Sequence, residues 1–292
     1  MPYSLVLNLL PQSSISKEFL QGINLHGLFF ELVHHVNPEL SSYLHKDFAN
    51  KPFTISPLQT KTFHESLIHE KSSIVEKLQF IYSHDVPVQT PCWWRISLLD
   101  DLIFHELKKI WLNPDSNFSW SINDIKLKLC SVLMHPTSEQ PWANHLSYEE
   151  IYQLASDQER KINFQIFTPA TFRVFGTKYD SPLPDKSLVF NSLLNRWNTF
   201  SNIPFKNNII EPIFPANFDL KTFTIEDKRS KFIGAVGTIT FQIFGDVSPT
   251  IIKQLNTLAD FAFFSGVGRK TTMGMGILKR VFNNSNKFYT VF

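Results

Sequence analysis

The residues Gly266-Val-Gly-Arg-Lys-Thr-Thr-Met-Gly-Met-Gly276 point most directly to a chemistry. Glycines at 266, 268, 274 and 276 flank Arg269 and Lys270, so two cations stand beside backbone N–H groups that no Cβ shields, an arrangement suited to a phosphate chain. A nucleotide-hydrolysing loop would end in glycine, lysine and a hydroxyl residue between a strand and a helix. Here Arg269 precedes Lys270 and the flanking pattern runs from helix to strand, which also disposes of a dinucleotide fingerprint. From Phe261 onward the sequence has five Lys and Arg (Arg269, Lys270, Lys279, Arg280, Lys287) and no Asp or Glu, so its local field is positive. The whole chain, with 28 Lys+Arg against 26 Asp+Glu, carries only +2, which excludes unselective coating of nucleic acid and confines any polyanion site to a local patch. Arg173, Lys178 and Arg196 extend the basic surface in the second half of the chain, scattered solvated charge being the alternative reading.

Metal and redox chemistry find little support. His64-Glu-Ser-Leu-Ile-His69 has one residue too many for a zinc-binding HExxH helix: five residues turn a helix by about 500°, leaving the rings roughly 140° apart. His34 and His35 are adjacent and share no helix face, and Cys92 and Cys130 form neither a disulfide framework nor a CxxC pair. No metal and no cofactor are expected, and the cysteine usage fits a reducing compartment.

The elements that must position these residues follow from hydrophobic period. The 292 residues favour two units, and with 43% apolar and 18% charged residues each can bury a core. In the first half the spacing predicts strand Tyr3 to Leu10, helix Ile15 to Val36, a helix restart at Asn37-Pro38 running to Lys46, and strand Phe53 to Leu58. Strand Trp93 to Leu98, helix Asp100 to Leu112 and strand Ile125 to Met134 follow. After a polar, Pro-containing stretch from Thr137 to Trp142 and a bridging helix from Leu146 to Ala155, the order recurs. Strand Ile162 to Phe167, helix Leu188 to Phe200, strands Phe218 to Ile225 and Phe232 to Phe244, helix Pro249 to Phe264 and strand Met275 to Val281 complete it. The expected fold class is α+β: two tandem ferredoxin-like domains, residues 1–145 and 146–292, each a four-stranded antiparallel sheet backed by helices. Neither half shows an aromatic-rich RNA-recognition signature, and the amino-terminal apolar run reads as a strand, not a signal or a membrane span.

The Gly-x-Gly, five intervening residues and Gly-x-Gly near the carboxyl end resemble the glycine-rich loop of CRISPR repeat-processing endoribonucleases of the repeat-associated mysterious protein superfamily. Asn37-Pro-Glu-Leu-Ser-Ser-Tyr-Leu-His45, Lys51-Pro-Phe-Thr54, Phe167-Thr-Pro-Ala-Thr-Phe172 and Leu193-Leu-Asn-Arg-Trp197 are similar to that family in the same order, so the likeness spans most of the chain. The resemblance implies a cytoplasmic prokaryotic protein that binds CRISPR repeat RNA and cleaves precursor crRNA without metal, as a monomer or homodimer. It also implies effector-complex proteins as further partners and no membrane.

It further implies His45 as general acid/base and Lys51 as the cation that steadies the transition state, while the RNA contacts expected from the glycine and charge pattern fall on Gly266, Gly268, Arg269, Lys270, Gly274, Gly276, Lys279, Arg280, Arg173 and Arg196. Some relatives carry a catalytic tyrosine where this chain has Phe30, which has no hydroxyl; Tyr43, His34 or His35 then becomes the candidate for that role. Metal-free RNA cleavage needs a proton taken from the 2′-OH, a stabilised phosphorane and a proton given to the leaving 5′-oxygen, and imidazole suits both transfers near neutral pH. His45, at the carboxyl end of its short helix, would feel the negative end of the dipole, which favours the protonated form of an acid. A catalytically silent RNA-binding subunit and a ferredoxin-like metabolite binder are the competing expectations.

Overall fold

Strand β1 (Tyr3–Pro11) runs through the middle of the first sheet, with Tyr3, Leu5, Leu7 and Leu9 buried on one face and Val6 buried with hydrogen-bonded Ser4 on the other. The computed structural model describes residues 1–46, 50–60, 77–112, 120–227 and 230–282; His64, His69 and Lys287 lie outside them. The chain separates into two units, one of Tyr3–His145 with Thr272–Gly274, the other of Met1–Pro2, Leu146–Thr271 and the residues from Met275.

In the first unit β1 leads through a 3₁₀ turn (Lys17–Leu20) into α1 (Gly22–Val36). The single helix expected from Ile15 is broken at Gln21, whose backbone is extended, and Gly22 is required next: a Cβ there would meet the Met273 carbonyl oxygen at 2.2 Å. Asn37 ends α1 and caps α2 (Pro38–His45), its Oδ1 accepting from Leu40 N at 2.9 Å with Pro38 in the first turn. Then come β2 (Phe53–Ile55), β3 (Gln59–Thr60), β4 (Cys92–Leu98), α3 (Asp101–Leu112), β5 (Trp120–Ile122), β6 (Ile125–Leu133) and β7 (Asn144–His145). The order β2-β4-β1-β6-β5, with β3 on β4 and β7 on β1, contains the ferredoxin-like path. Among the described residues it has seven strands where four were expected. The strand expected from Phe53 to Leu58 ends at Ile55 as β2, pairing with β4 resumes beyond it as β3, and a two-residue turn at Asn123 and Asp124, both at positive φ, adds β5 to the edge beyond β6. Leu25, Leu28, Phe29, Leu32 and Val33 supply the buried stripe of α1, and the Trp120 indole donates to Leu28 O at 3.0 Å, fixing that helix to the sheet.

The second unit opens with α4 (Tyr148–Leu154), held by a Ser147/Glu150 capping box. Strand β8 (Lys161–Ala170) is followed by a small hairpin of β9 (Phe172–Arg173) and β10 (Asp180–Ser181), then α5 (Lys186–Phe200), β11 (Ile213–Asp227), β12 (Ser230–Ile243), α6 (Pro249–Ser265) and β13 (Leu278–Arg280). The sheet order β11-β12-β8-β13 is again ferredoxin-like. Ile162, Phe164, Ile239 and Phe241 are buried on one face of this sheet, Phe190 of α5 stacking edge-on to Phe241 at 5.1 Å and Trp197 to Phe261 of α6 at 5.4 Å. Among the described residues no helix is long and apolar enough to cross a membrane.

Candidate functional site

His45 is the last residue of α2 and is exposed, its ring stacked on Phe30 of α1 with centroids 3.8 Å apart and 23° between planes. Phe30 is buried, packed edge-on to Phe29 and Phe53, so it is a rigid platform. A second imidazole meets the same platform: His26, one helical turn before Phe30 and on the same face, lies edge-on to it at 4.8 Å. His26 Nδ1 is 2.9 Å from the carbonyl oxygen of Thr272. A carbonyl only accepts, so Nδ1 carries the hydrogen and Nε2 is the basic nitrogen of the neutral ring. Thr272, Met273 and Gly274 are the middle of the glycine-rich loop, and Gly274 packs on Pro57 of this same unit. Thr272 therefore sets the tautomer of His26.

Lys51 is half-buried, its ammonium donating to Leu44 O at 2.8 Å and to Lys46 O, so it caps the end of α2 with backbone bonds on either side of His45. The two backbone bonds hold Lys51 beside the helix end that carries His45. Tyr43 is two residues before His45, a rotation of about 200° that puts it on the other side of the helix. Its ring is 51% exposed with the Lys46 ammonium 5.6 Å from its centroid. His34 and His35 are exposed in the last turn of α1. His26 has no motif of its own, which is why sequence reasoning misses it; its i−4 spacing from Phe30 is the available signal.

In the second unit the backbone N–H groups at both ends of the glycine-rich loop are hydrogen-bonded within the protein. Gly266 N donates to Ala262 O, Val267 N to Gly276 O, Gly268 N to Ser192 Oγ, Arg269 N to Thr171 O, Met275 N to Lys270 O and Gly276 N to Pro169 O. A Cβ on Gly268 would meet Thr171 O at 2.3 Å and one on Gly276 would meet Val267 O at 2.0 Å, both at positive φ, so these glycines serve the loop's own closure. The N–H groups of Gly266, Gly268 and Gly276, expected to face phosphate, have acceptors within the protein.

Two of the expected cations also have partners inside the protein. The Arg196 guanidinium donates to the carbonyls of Ser265, Gly266 and Gly268 and to Thr271 Oγ1, and burial holds it down to about 10; it braces the loop. Arg280 is buried, 4% exposed, its Nη1 donating to Asp260 at 3.1 Å. It ties β13 to α6 instead of facing solvent. The exposed and half-exposed cations that remain from the expected set are Arg269, Arg173 and Lys178, with Lys279 half-buried on the opposite face of β13 from Arg280. Lys270 has φ 55° and its ammonium sits 3.9 Å from the Phe232 ring centroid. The hairpin tip between β9 and β10 adds a feature that the sequence does not announce, Phe175 at 98% exposure beside exposed Tyr179 and Lys178. A solvated aromatic beside cations has the chemistry on which a base can stack.

Among the described residues no three His, Cys, Asp or Glu side chains gather to hold a metal ion; Cys92 is buried and Cys130 exposed, both as free thiols.

Residues 1–153 match the family described as the CRISPR Cas6 N-terminal domain and residues 164–278 the family described as CRISPR-associated endoribonuclease Cas6. No curated protein matches the chain. Among solved structures, a Cas6 product complex is 28% identical over 96% of this chain and 100% of its own, with a TM-score of 0.74. A Cas6 of Thermus thermophilus is 26% identical over 96% and 98%, with a TM-score of 0.68. A Cas6 substrate-mimic complex, 20% identical over 96% and 99% with a TM-score of 0.66, shares the fold. With both family matches falling on the two ferredoxin-like units, this chain belongs to the Cas6 family of CRISPR-associated endoribonucleases.

Proposed function

We propose that this chain binds CRISPR repeat RNA and cleaves the precursor without metal, by attack of the 2′-OH on the adjacent phosphate to leave a 2′,3′-cyclic phosphate. The observation that carries the reading is the pair of imidazoles on Phe30, one of them with its tautomer set by Thr272. His26 Nε2 takes the 2′-OH proton as O2′ bonds to phosphorus, and His45 gives its proton to the 5′-oxygen as the P–O5′ bond breaks. The Lys51 ammonium, anchored at the end of α2, offsets the extra negative charge of the phosphorane. Phe30 replaces a proton-handling hydroxyl with a platform, and the second imidazole supplies the missing base. The product and substrate-mimic complexes of similar Cas6 proteins support RNA as the partner.

The test is incubation of the protein with one repeat of its host's array in excess chelator. Cleavage at a single bond, abolished by a 2′-deoxy nucleotide at that position, is expected. Binding without a cut would sink the nuclease reading and favour a silent RNA-binding subunit, the alternative that the absence of a hydroxyl at Phe30 keeps open. Phe30→Leu keeps the site apolar but removes the shared platform, so cleavage should fall about 10–100-fold with affinity unchanged, since small misplacements of reacting groups act on rate. A rate within about twofold of wild type would show that the rings are held elsewhere.

A further inference from the structure

Asp180 lies in β10 directly opposite Arg173 of β9. One carboxylate oxygen accepts from Arg173 Nε at 2.7 Å and the other from Arg269 Nη1 at 2.5 Å. The two guanidiniums are 43% and 35% exposed, the carboxylate 19%. Ion pairs at such exposure contribute little to fold stability, so stability is a poor reason for placing an acid between the two most accessible arginines of the glycine-rich loop and its neighbouring hairpin. Its larger effect is on what those arginines can bind.

We infer that Asp180 is a specificity-determining residue of the RNA-binding surface, an internal anion that occupies Arg173 and Arg269 and gives way to a phosphate only when the rest of the RNA holds that phosphate in place. The inference rests on the function proposed above. A carboxylate and a phosphodiester each bring one negative charge and a pair of oxygens matched to guanidinium, so exchanging one for the other is close to neutral in energy for an RNA that arrives by charge alone. An RNA already fixed by other contacts presents its phosphate at high effective concentration and wins the exchange. Asp180 thus weakens incidental binding more than cognate binding, which is how a repulsive element creates selectivity. Arg269 N donates to Thr171 O, next to Phe172 of β9, so hairpin and loop are also joined through backbone and the guanidinium need only rotate to change partners.

The experiment uses the full chain in the His45→Ala background and two labelled RNAs, one repeat of the host's array and a shuffled sequence of the same composition. Asp180→Asn should bind the shuffled RNA about fivefold more tightly at low salt, while repeat affinity changes by less than about twofold. The salt slope for the shuffled RNA should steepen by about 0.7 for each further phosphate that an arginine neutralises. In an Arg173→Gln/Arg269→Gln background the same substitution should have no effect, because the acid acts through those two side chains. Where asparagine disturbs the hairpin, Asp180→Ser reads the same quantity. Unchanged selectivity, or equal weakening of both RNAs, would make Asp180 a brace and overturn the inference. A protein with wild-type Asp180 that does not distinguish repeat from shuffled RNA would overturn the proposed function, and this inference with it.

Discussion

Replacement of His45 by alanine should lower the single-turnover cleavage rate of repeat RNA by about 10²–10⁴ and leave the dissociation constant nearly unchanged, because the proposed mechanism uses the ring for a proton in the transition state and not for grip. His26→Ala produces a loss of the same order, but the two variants differ in kind. A general base must be unprotonated, so its titration makes the rate rise with pH; a general acid must be protonated, so its titration makes the rate fall. His26→Ala should therefore remove the rising limb of the pH profile and His45→Ala the falling limb. The Thr272 carbonyl that fixes the Nδ1–H of His26 is the reason for assigning the base to that ring. A substrate with sulfur in place of the bridging 5′-oxygen separates them further, since a thiolate leaves without a proton: it should restore cleavage to His45→Ala and not to His26→Ala. Equal behaviour of the two variants on that substrate would reject the division of roles, and a His26→Ala enzyme at the wild-type rate would return the base to another residue.

What is readable in the sequence is local. Asn37-Pro38 announces a helix restart because the cap, the first-turn proline and the bond to Leu40 all lie within four residues. The glycines of the loop are equally legible as positions of positive φ, yet their task is not, since the partners Pro169, Thr171 and Ser192 are remote in sequence. A run of basic residues reads as a basic surface until burial is known. For Arg280 there is a usable signal: in Leu278-Lys279-Arg280 a period of two puts Arg280 on the face of Leu278, which is buried, and Lys279 on the other. Arg196 carries no such signal, because its acceptors are loop carbonyls that come together only after folding. His45 and Lys51 are legible through resemblance, and their coupling through the end of α2 needs coordinates.

Replacement of Arg280 by alanine should unfold the second unit more readily and leave the RNA affinity of the folded protein alone. The guanidinium and Asp260 are both almost completely buried, and removing one partner of such a pair costs about 3–5 kcal/mol by stranding the other charge. The cost should depend on pH in a defined direction. Burial already pushes the Asp260 carboxyl up to about 6, with Arg280 pulling it back toward its ordinary value of 3.8. A carboxyl raised in the folded state contributes stability that is whole below about pH 4 and is lost as the pH rises through its folded value. Without Arg280 that value climbs further, so the variant's deficit against wild type should be small at about pH 5 and grow toward about pH 8, read from urea unfolding at each pH. Arg280→Met combined with Asp260→Leu, which removes both charges and keeps volume, should recover most of the loss. An Arg280→Ala protein as stable as wild type but weakened for repeat RNA would restore Arg280 to the binding surface, and the ion pair with Asp260 would then have to open when RNA arrives.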